Sequence, residues 1–203
     1  TLFLYTNFMQ PNNYGLIQVI LSVSAVLMPI LAFGVPNSLV KFYSSFKNDS
    51  SQDGFLTLML VLPLVLIIPI GILSYFANEA IGNLLSKEND IVRDYVWHIF
   101  FVGMAMAYFE VFYAWARIRM KSMFGNFMKE VFCRIAQTIL LILLWFKIID
   151  IEFFINGLVG CYIVRTVIMK IYAYQLRKPK LNFSFPENWQ SIVKYSALII
   201  LGG

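Results

Sequence analysis

Residues 55–76 read FLTLMLVLPLVLIIPIGILSYF and contain no charged side chain. A helix that crosses the hydrocarbon core of a bilayer needs about 20 apolar residues, so this run is long enough to span. It is not an isolated feature. The chain of 203 residues is 60% hydrophobic and 13% charged, with a mean hydropathy of +0.73. Soluble domains carry roughly 25% charged residues, so lipid is the solvent this composition fits.

Working outward, four further apolar spans can be marked, at about Tyr14 to Phe42, Tyr95 to Ala116, Val131 to Phe146 and Phe153 to Tyr174. The expected fold class is all-α, a polytopic transmembrane helical bundle. A partial span precedes the first, from Thr1 to Met9, and another begins near Ile192. Both ends are expected to be cut helices of a longer chain. Pro29 and Pro36 fall in the first full span and Pro63 and Pro69 in the second. Membrane helices tolerate proline where neighbours re-satisfy the freed carbonyls, so kinks are expected there, for packing or for hinging.

The basic residues give an orientation. Connectors 41–54, 117–130 and 170–189 carry Lys41, Lys47, Arg117, Arg119, Lys121, Lys129, Lys170, Arg177, Lys178 and Lys180. The opposite connectors carry only Lys87, Arg93 and Lys147. Ten against three is a positive-inside bias that places the first set in the cytoplasm. The outer connector from Asn78 to Asp94 is net acidic through Glu79, Glu88, Asp90 and Asp94. The net charge of +5 is thus mostly a topology signal, and no soluble basic face with interleaved aromatics points to nucleic acid. Arg177 to Ser191, RKPKLNFSFPENWQS, mixes cations with Phe183, Phe185 and Trp189, a composition that suits a strip lying at the membrane surface.

Enzyme chemistry has little to work with. The one histidine, His98, has no HExxH or nearby cysteine and fits an interfacial ring beside Trp97. Cys133 and Cys161 lie in apolar runs and form no CxxC, so they are read as packing residues and not as metal ligands. There is no phosphate-binding glycine loop. No catalytic residue, metal or cofactor is expected.

Ionisable residues inside the spans are costly in lipid and mark interiors or cavities. Glu110, Arg134 and Arg165 are the candidates, with Lys41 at an inner helix end. Glu110 and Arg134 flank a hairpin centred near Met123, at similar distances from it. An ion pair between them is expected, because pairing lowers the cost of burying either charge. Glu110 also suits ion coupling, since buried carboxylates serve proton relays. Arg165 has Cys161, Tyr162, Ile168 and Met169 at helical spacing and no acidic partner among them. Its planar fork matches a phosphate group, so it is expected to face a water-filled cavity. Gln18, Asn37, Gln137 and Asn156 are read as bonds between helices, not as substrate ligands.

One family shares this order of features. QPNNYGLIQVILSVSAVLMPILAFGVPNSLVKFY resembles the first two helices of bacterial Wzx-type polysaccharide flippases, through Tyr14-Gly15, Gly34-Val35-Pro36 and Lys41-Phe42-Tyr43. FEVFYAWARIRMKSMFGNFMKEV resembles the hairpin between that family's fourth and fifth helices. FSFPENWQSIVKYSALII resembles the connector into its seventh. The resemblance covers nearly the whole chain. It implies the multidrug/oligosaccharidyl-lipid/polysaccharide exporter superfamily and a MATE-like two-lobe transporter. Residues 1–176 would be the N-terminal lobe, with the end of helix one and helices two to six. Residues 177–191 would be a cytoplasmic interfacial connector and 192–203 the start of a truncated seventh helix.

The function this implies is alternating-access export of lipid-linked oligosaccharide units, carried on undecaprenyl diphosphate, across the bacterial inner membrane. Arg165, Arg134 and Lys41 would line a cationic chamber, with H⁺ or Na⁺ as coupling ion. Lys41 equally fits snorkelling to the inner interface. A cation-coupled drug antiporter of the same superfamily would instead favour an acidic or aromatic chamber. A polytopic enzyme of polysaccharide assembly would show a large catalytic loop or a His/Asp/Glu pair at the interface, and neither is evident. A purely structural membrane subunit is the remaining alternative.

Overall fold

The computed structural model describes residues 9–86 and 89–202, and among them there is no β-strand. The partial span at the N-terminus and the charges Lys87 and Glu88 fall outside those residues, apart from Met9. The helices are α1 (Pro11–Leu31), α2 (Val35–Phe42), α3 (Asp49–Val61), α4 (Leu64–Phe76), α5 (Asn78–Leu85), α6 (Val96–Ile118), α7 (Ser122–Phe127), α8 (Cys133–Trp145), α9 (Ile151–Leu176) and α10 (Trp189–Gly202). Among the described residues, four helical stretches are long and apolar enough to cross a membrane: Pro11–Leu31, Asp49–Phe76, Asp90–Ile118 and Ile151–Leu176. The protein is an all-α polytopic bundle.

The expected spans differ from these in three places. The first does not run to Phe42. It stops at Leu31, and Phe33 and Gly34 take left-handed conformations (φ 51° and 63°) before α2 begins. Pro36 therefore kinks nothing. It sits in the first turn of α2, where a missing N–H costs no bond. The second span is divided at Leu62-Pro63, where α3 gives way to α4. The Tyr108 hydroxyl donates to the Leu60 carbonyl (3.2 Å) beside that division. The span expected at Val131 to Phe146 is not among the four, and its helix begins earlier. Helix continues from Ser122 through a π-helical turn at Met128–Phe132 into α8. It carries Lys129, Glu130 and Arg134, which is why the apolar run looked shorter in the sequence.

Helix α6 is the hub. Its span is 72% buried, against 28% for α1 and for α9. Small and hydroxylated residues let neighbours approach it, as is usual where helices pack without a hydrophobic driving force. Ser24 of α1 donates to the Ile99 carbonyl (2.8 Å), and Thr166 of α9 donates to the Ala105 carbonyl (2.7 Å). Phe109 and Trp115 of α6 are fully buried. Around the C-terminal half of α6 lies one apolar cluster, with Leu39, Phe55, Met59, Met169 and Ile192. Around its N-terminal half lies another, with Leu16, Ile20, Leu141, Phe154 and Leu158.

Connector 41–54 is less of a loop than expected. Helix α3 starts at Asp49, so Gln52, Asp53 and Gly54 are helical. The described residues of connector 78–94 are also structured, with α5 at Asn78–Leu85 and a 3₁₀ segment at Asp90–Tyr95.

Candidate functional site

A break inside an apolar helix is the first element of the site. At Phe33-Gly34 the backbone leaves the helix, which membrane proteins tolerate only where the freed groups meet protein or line a cavity. Here both apply. Gly34 is required by its left-handed φ and by crowding, because a Cβ there would run into the Ser196 carbonyl of α10. The crossing is fixed by a buried Ser38–Ser196 hydroxyl pair at 2.6 Å. Beside the break lies a cavity of about 430 Å³. Its wall includes Pro29, Gly34, Pro36, Asn37 and Ile199, and it holds two charges, Glu110 and Lys129.

These two form an ion pair at 2.7 Å, with side chains 18% and 43% exposed. Glu110 lies eight residues before the end of α6, about 12 Å along the helix axis. This puts the carboxylate about two turns into the helix and not at its end. The expected partner, Arg134, is not the one found. Arg134 instead pairs with Glu130 one turn away on its own helix (3.3 Å), and both side chains are largely exposed. The reason is the position of the hairpin apex. It falls at Arg119–Lys121, where Met120 takes φ 60° and Lys121 donates to the Ala116 carbonyl, not near Met123. The shift moves the residue facing Glu110 from Arg134 to Lys129.

Tyr113 locks that register. Its hydroxyl donates to the Asn126 side chain, and its ring fills the space that a Cβ on Gly125 would need. The same ring has Arg117 at 5.4 Å and Lys129 at 6.0 Å from its centroid.

Lys41 does not line this cavity itself. It lies one helical turn beyond Asn37 on α2, and its ammonium sits 3.6 Å from the centre of the Tyr195 ring. Tyr195 in turn is one turn before the cavity-lining Ile199 on α10. The i, i+4 spacing places Lys41 and Tyr195 on the cavity side of their helices.

Arg165 is elsewhere and differently housed. It is only 6% exposed and does not line the cavity beside the break. Its guanidinium lies over Phe109 (4.0 Å) and Tyr162 (4.8 Å). Tyr162 lies three residues earlier on α9. The Nε of Arg165 has no hydrogen-bond partner among the described residues.

The sequence profile of the polysaccharide biosynthesis protein family matches residues 1–203. The chain belongs to the polysaccharide biosynthesis protein family. No curated protein and no solved structure matches it.

Other residues of this family member bear out a structural reading. Asn156 bonds His98 across helices (3.0 Å), and His98 also packs edge-on against Tyr95. Gln137 is buried on α8. Asn37 does not follow them, because it lines the cavity. Cys133 is buried, Cys161 is half-buried, and both are free thiols. Among the described residues no group of three His, Cys, Asp or Glu side chains is placed to hold a metal. Lys129 and Asn37 are the site residues that sequence reasoning missed. The signal for Lys129 was its spacing from Glu110 about an apex at Arg119–Lys121.

Proposed function

We propose that this chain is a helical lobe of a Wzx-type flippase, moving polyprenyl-diphosphate-linked oligosaccharide units across the bacterial inner membrane by alternating access. Connectors 41–54, 117–130 and 170–189 face the cytoplasm, in keeping with their excess of Lys and Arg. Membership of the polysaccharide biosynthesis protein family supports the substrate class. The observation that carries the mechanism is the broken first span, opening at membrane depth onto the cavity with Glu110 and Lys129. Discontinuous helices at midplane cavities are where transporters bind substrates and coupling ions.

In this reading Lys129 and Lys41 meet the diphosphate. Lys129 is half held by Glu110 and half open, so an arriving anion competes with the carboxylate for the ammonium. Release of Glu110 by that competition leaves a carboxylate free to take a proton, which couples substrate entry to H⁺. The prenyl chain stays in lipid. Arg134, on the exposed side of α8, is left to the Glu130 pair, and Arg165 holds α9 against α6 and α8.

The test is export of the polysaccharide in cells carrying the full-length protein. Lys129→Ala should abolish export while Lys129→Arg retains it, with both variants present in the membrane at normal levels. Normal export by Lys129→Ala would remove the site from the transport path.

A further inference from the structure

Between α9 and α10 the chain has no regular secondary structure, yet it is tightly held. Arg177 donates to Asp53 (3.0 Å) and to the Gln52 side chain, and forms an ion pair with Asp49 (3.2 Å). Burial lowers the pKa of its guanidinium, and the hydrogen bond and nearby charge of Asp53 more than offset this, so the net shift is upward. The Asn182 backbone N–H donates to Thr57 (3.1 Å), and its side-chain amide donates to the Ser50 carbonyl and hydroxyl (3.3 Å each). Ser184 N–H donates back to the Asn182 side chain (2.9 Å). The Ser184 carbonyl occupies the place of a Cβ on Gly54. The segment is therefore strapped across the first two turns of α3.

Its other face is apolar. Leu181, Phe183 and Phe185 alternate with the bonded Asn182 and with Ser184, and are 71%, 67% and 40% exposed. Trp189 continues the face at 41% exposed, 6.5 Å from Phe185 between ring centroids. A connector needs no such residues, and a backbone already fixed in place cannot turn them inward. The exposed charges around them are Lys178 and Lys180, against Glu187 and Asp49. Connectors 41–54 and 117–130 add Lys47, Arg117, Arg119 and Lys121. Aromatic rings interleaved with lysine match the headgroup level of a bilayer, and the cations match its anionic lipids.

We propose that residues 177–189 form a preorganised strap that docks on the surface of an anionic bilayer. Phe183 and Leu181 enter the acyl boundary while Lys178 and Lys180 meet phosphate. This rests on the membrane-spanning fold and not on the direction or cargo of transport, so failure of either reading leaves the other standing. The surface grips lipid through an extended strand held on a helix, and no helix needs to form on contact. It also ties the bilayer mechanically to α3 through Arg177 and Asn182.

The experiment uses the full-length protein with Cys133→Ala, Cys161→Ala and any other cysteine removed. A bimane label is placed at Phe183→Cys, at Leu181→Cys, and at the exposed Glu187→Cys as reference. Each is reconstituted in phosphatidylethanolamine vesicles with or without phosphatidylglycerol. Labels at 183 and 181 should be quenched by shallow doxyl phospholipids and be about fivefold less accessible to iodide than the label at 187. Omitting phosphatidylglycerol, or combining Lys178→Gln with Lys180→Gln, should reduce the doxyl quenching severalfold. Iodide accessibility at 183 and 181 equal to that at 187 would overturn the proposal. So would shielding from both quenchers, which would mean a protein partner covers the face. Indifference to phosphatidylglycerol would overturn the anionic-lipid assignment.

Discussion

Glu110–Lys129 and Arg165 are both charges at apolar depth, one helical hub apart, and the bundle treats them oppositely. The first is a complete ion pair at the wall of a cavity, beside a helix that breaks. The second is a lone guanidinium wrapped by Phe109 and Tyr162, in a helix that runs unbroken for 26 residues. In the proposed reading, the charges beside the broken backbone and the cavity bind, and the one set among rings holds helices together.

Substitutions can sharpen that contrast. The largest effect is expected at the break itself. Gly34→Leu forces a β-carbon into the Ser196 carbonyl at a left-handed φ, and should abolish both export and the thermal transition of the purified protein. Glu110→Ala comes next. It leaves Lys129 unpaired within the bilayer, at a cost of about 1–3 kcal/mol, less than a fully buried pair because the lysine is half open. Export should fall to background, and Glu110→Gln should do the same with smaller loss of stability.

At Gly125, alanine should cost about 1–3 kcal/mol by driving Tyr113 off its rotamer, measured as a lowered Tm. Arg165→Met is expected to be milder. It removes an unpaired charge and keeps its length, so stability should change by less than about 2 kcal/mol in either direction and export should persist. Loss of export in a normally folded Arg165→Met protein would place the guanidinium in the substrate path and erase the distinction. The smallest effect belongs to Arg134→Ala. Its exposed pair with Glu130 is worth at most about 0.5 kcal/mol, and neither Tm nor export should move measurably.

Composition made the helical membrane fold legible, because a charge-free run such as residues 55–76 has few other uses. The ends and breaks of helices were harder to read. Phe33 and Gly34 lie in a run that is apolar throughout, and only the close approach of α10 explains a left-handed pair there. That contact joins residues far apart in sequence. Glu110 was visible as a costly charge, but its partner depended on where the hairpin turned. Met120 in a left-handed conformation is not a turn residue by type, so the apex was placed a few residues late and Arg134 was chosen over Lys129. Arg165 was singled out for its lack of an acidic neighbour. The two aromatic faces that accommodate it sit on α6 and one turn back on α9, and ring faces leave no charge pattern in a sequence.

Access to the cavity is the most direct test of the account. With the native cysteines removed, Asn37→Cys in the full-length protein can be probed with membrane-impermeant thiol reagents, in intact cells and in inverted vesicles. Labelling is expected from both faces of the membrane, with the balance shifting when the supply of lipid-linked oligosaccharide is cut off. Labelling from neither face, or from one face regardless of substrate, would contradict it.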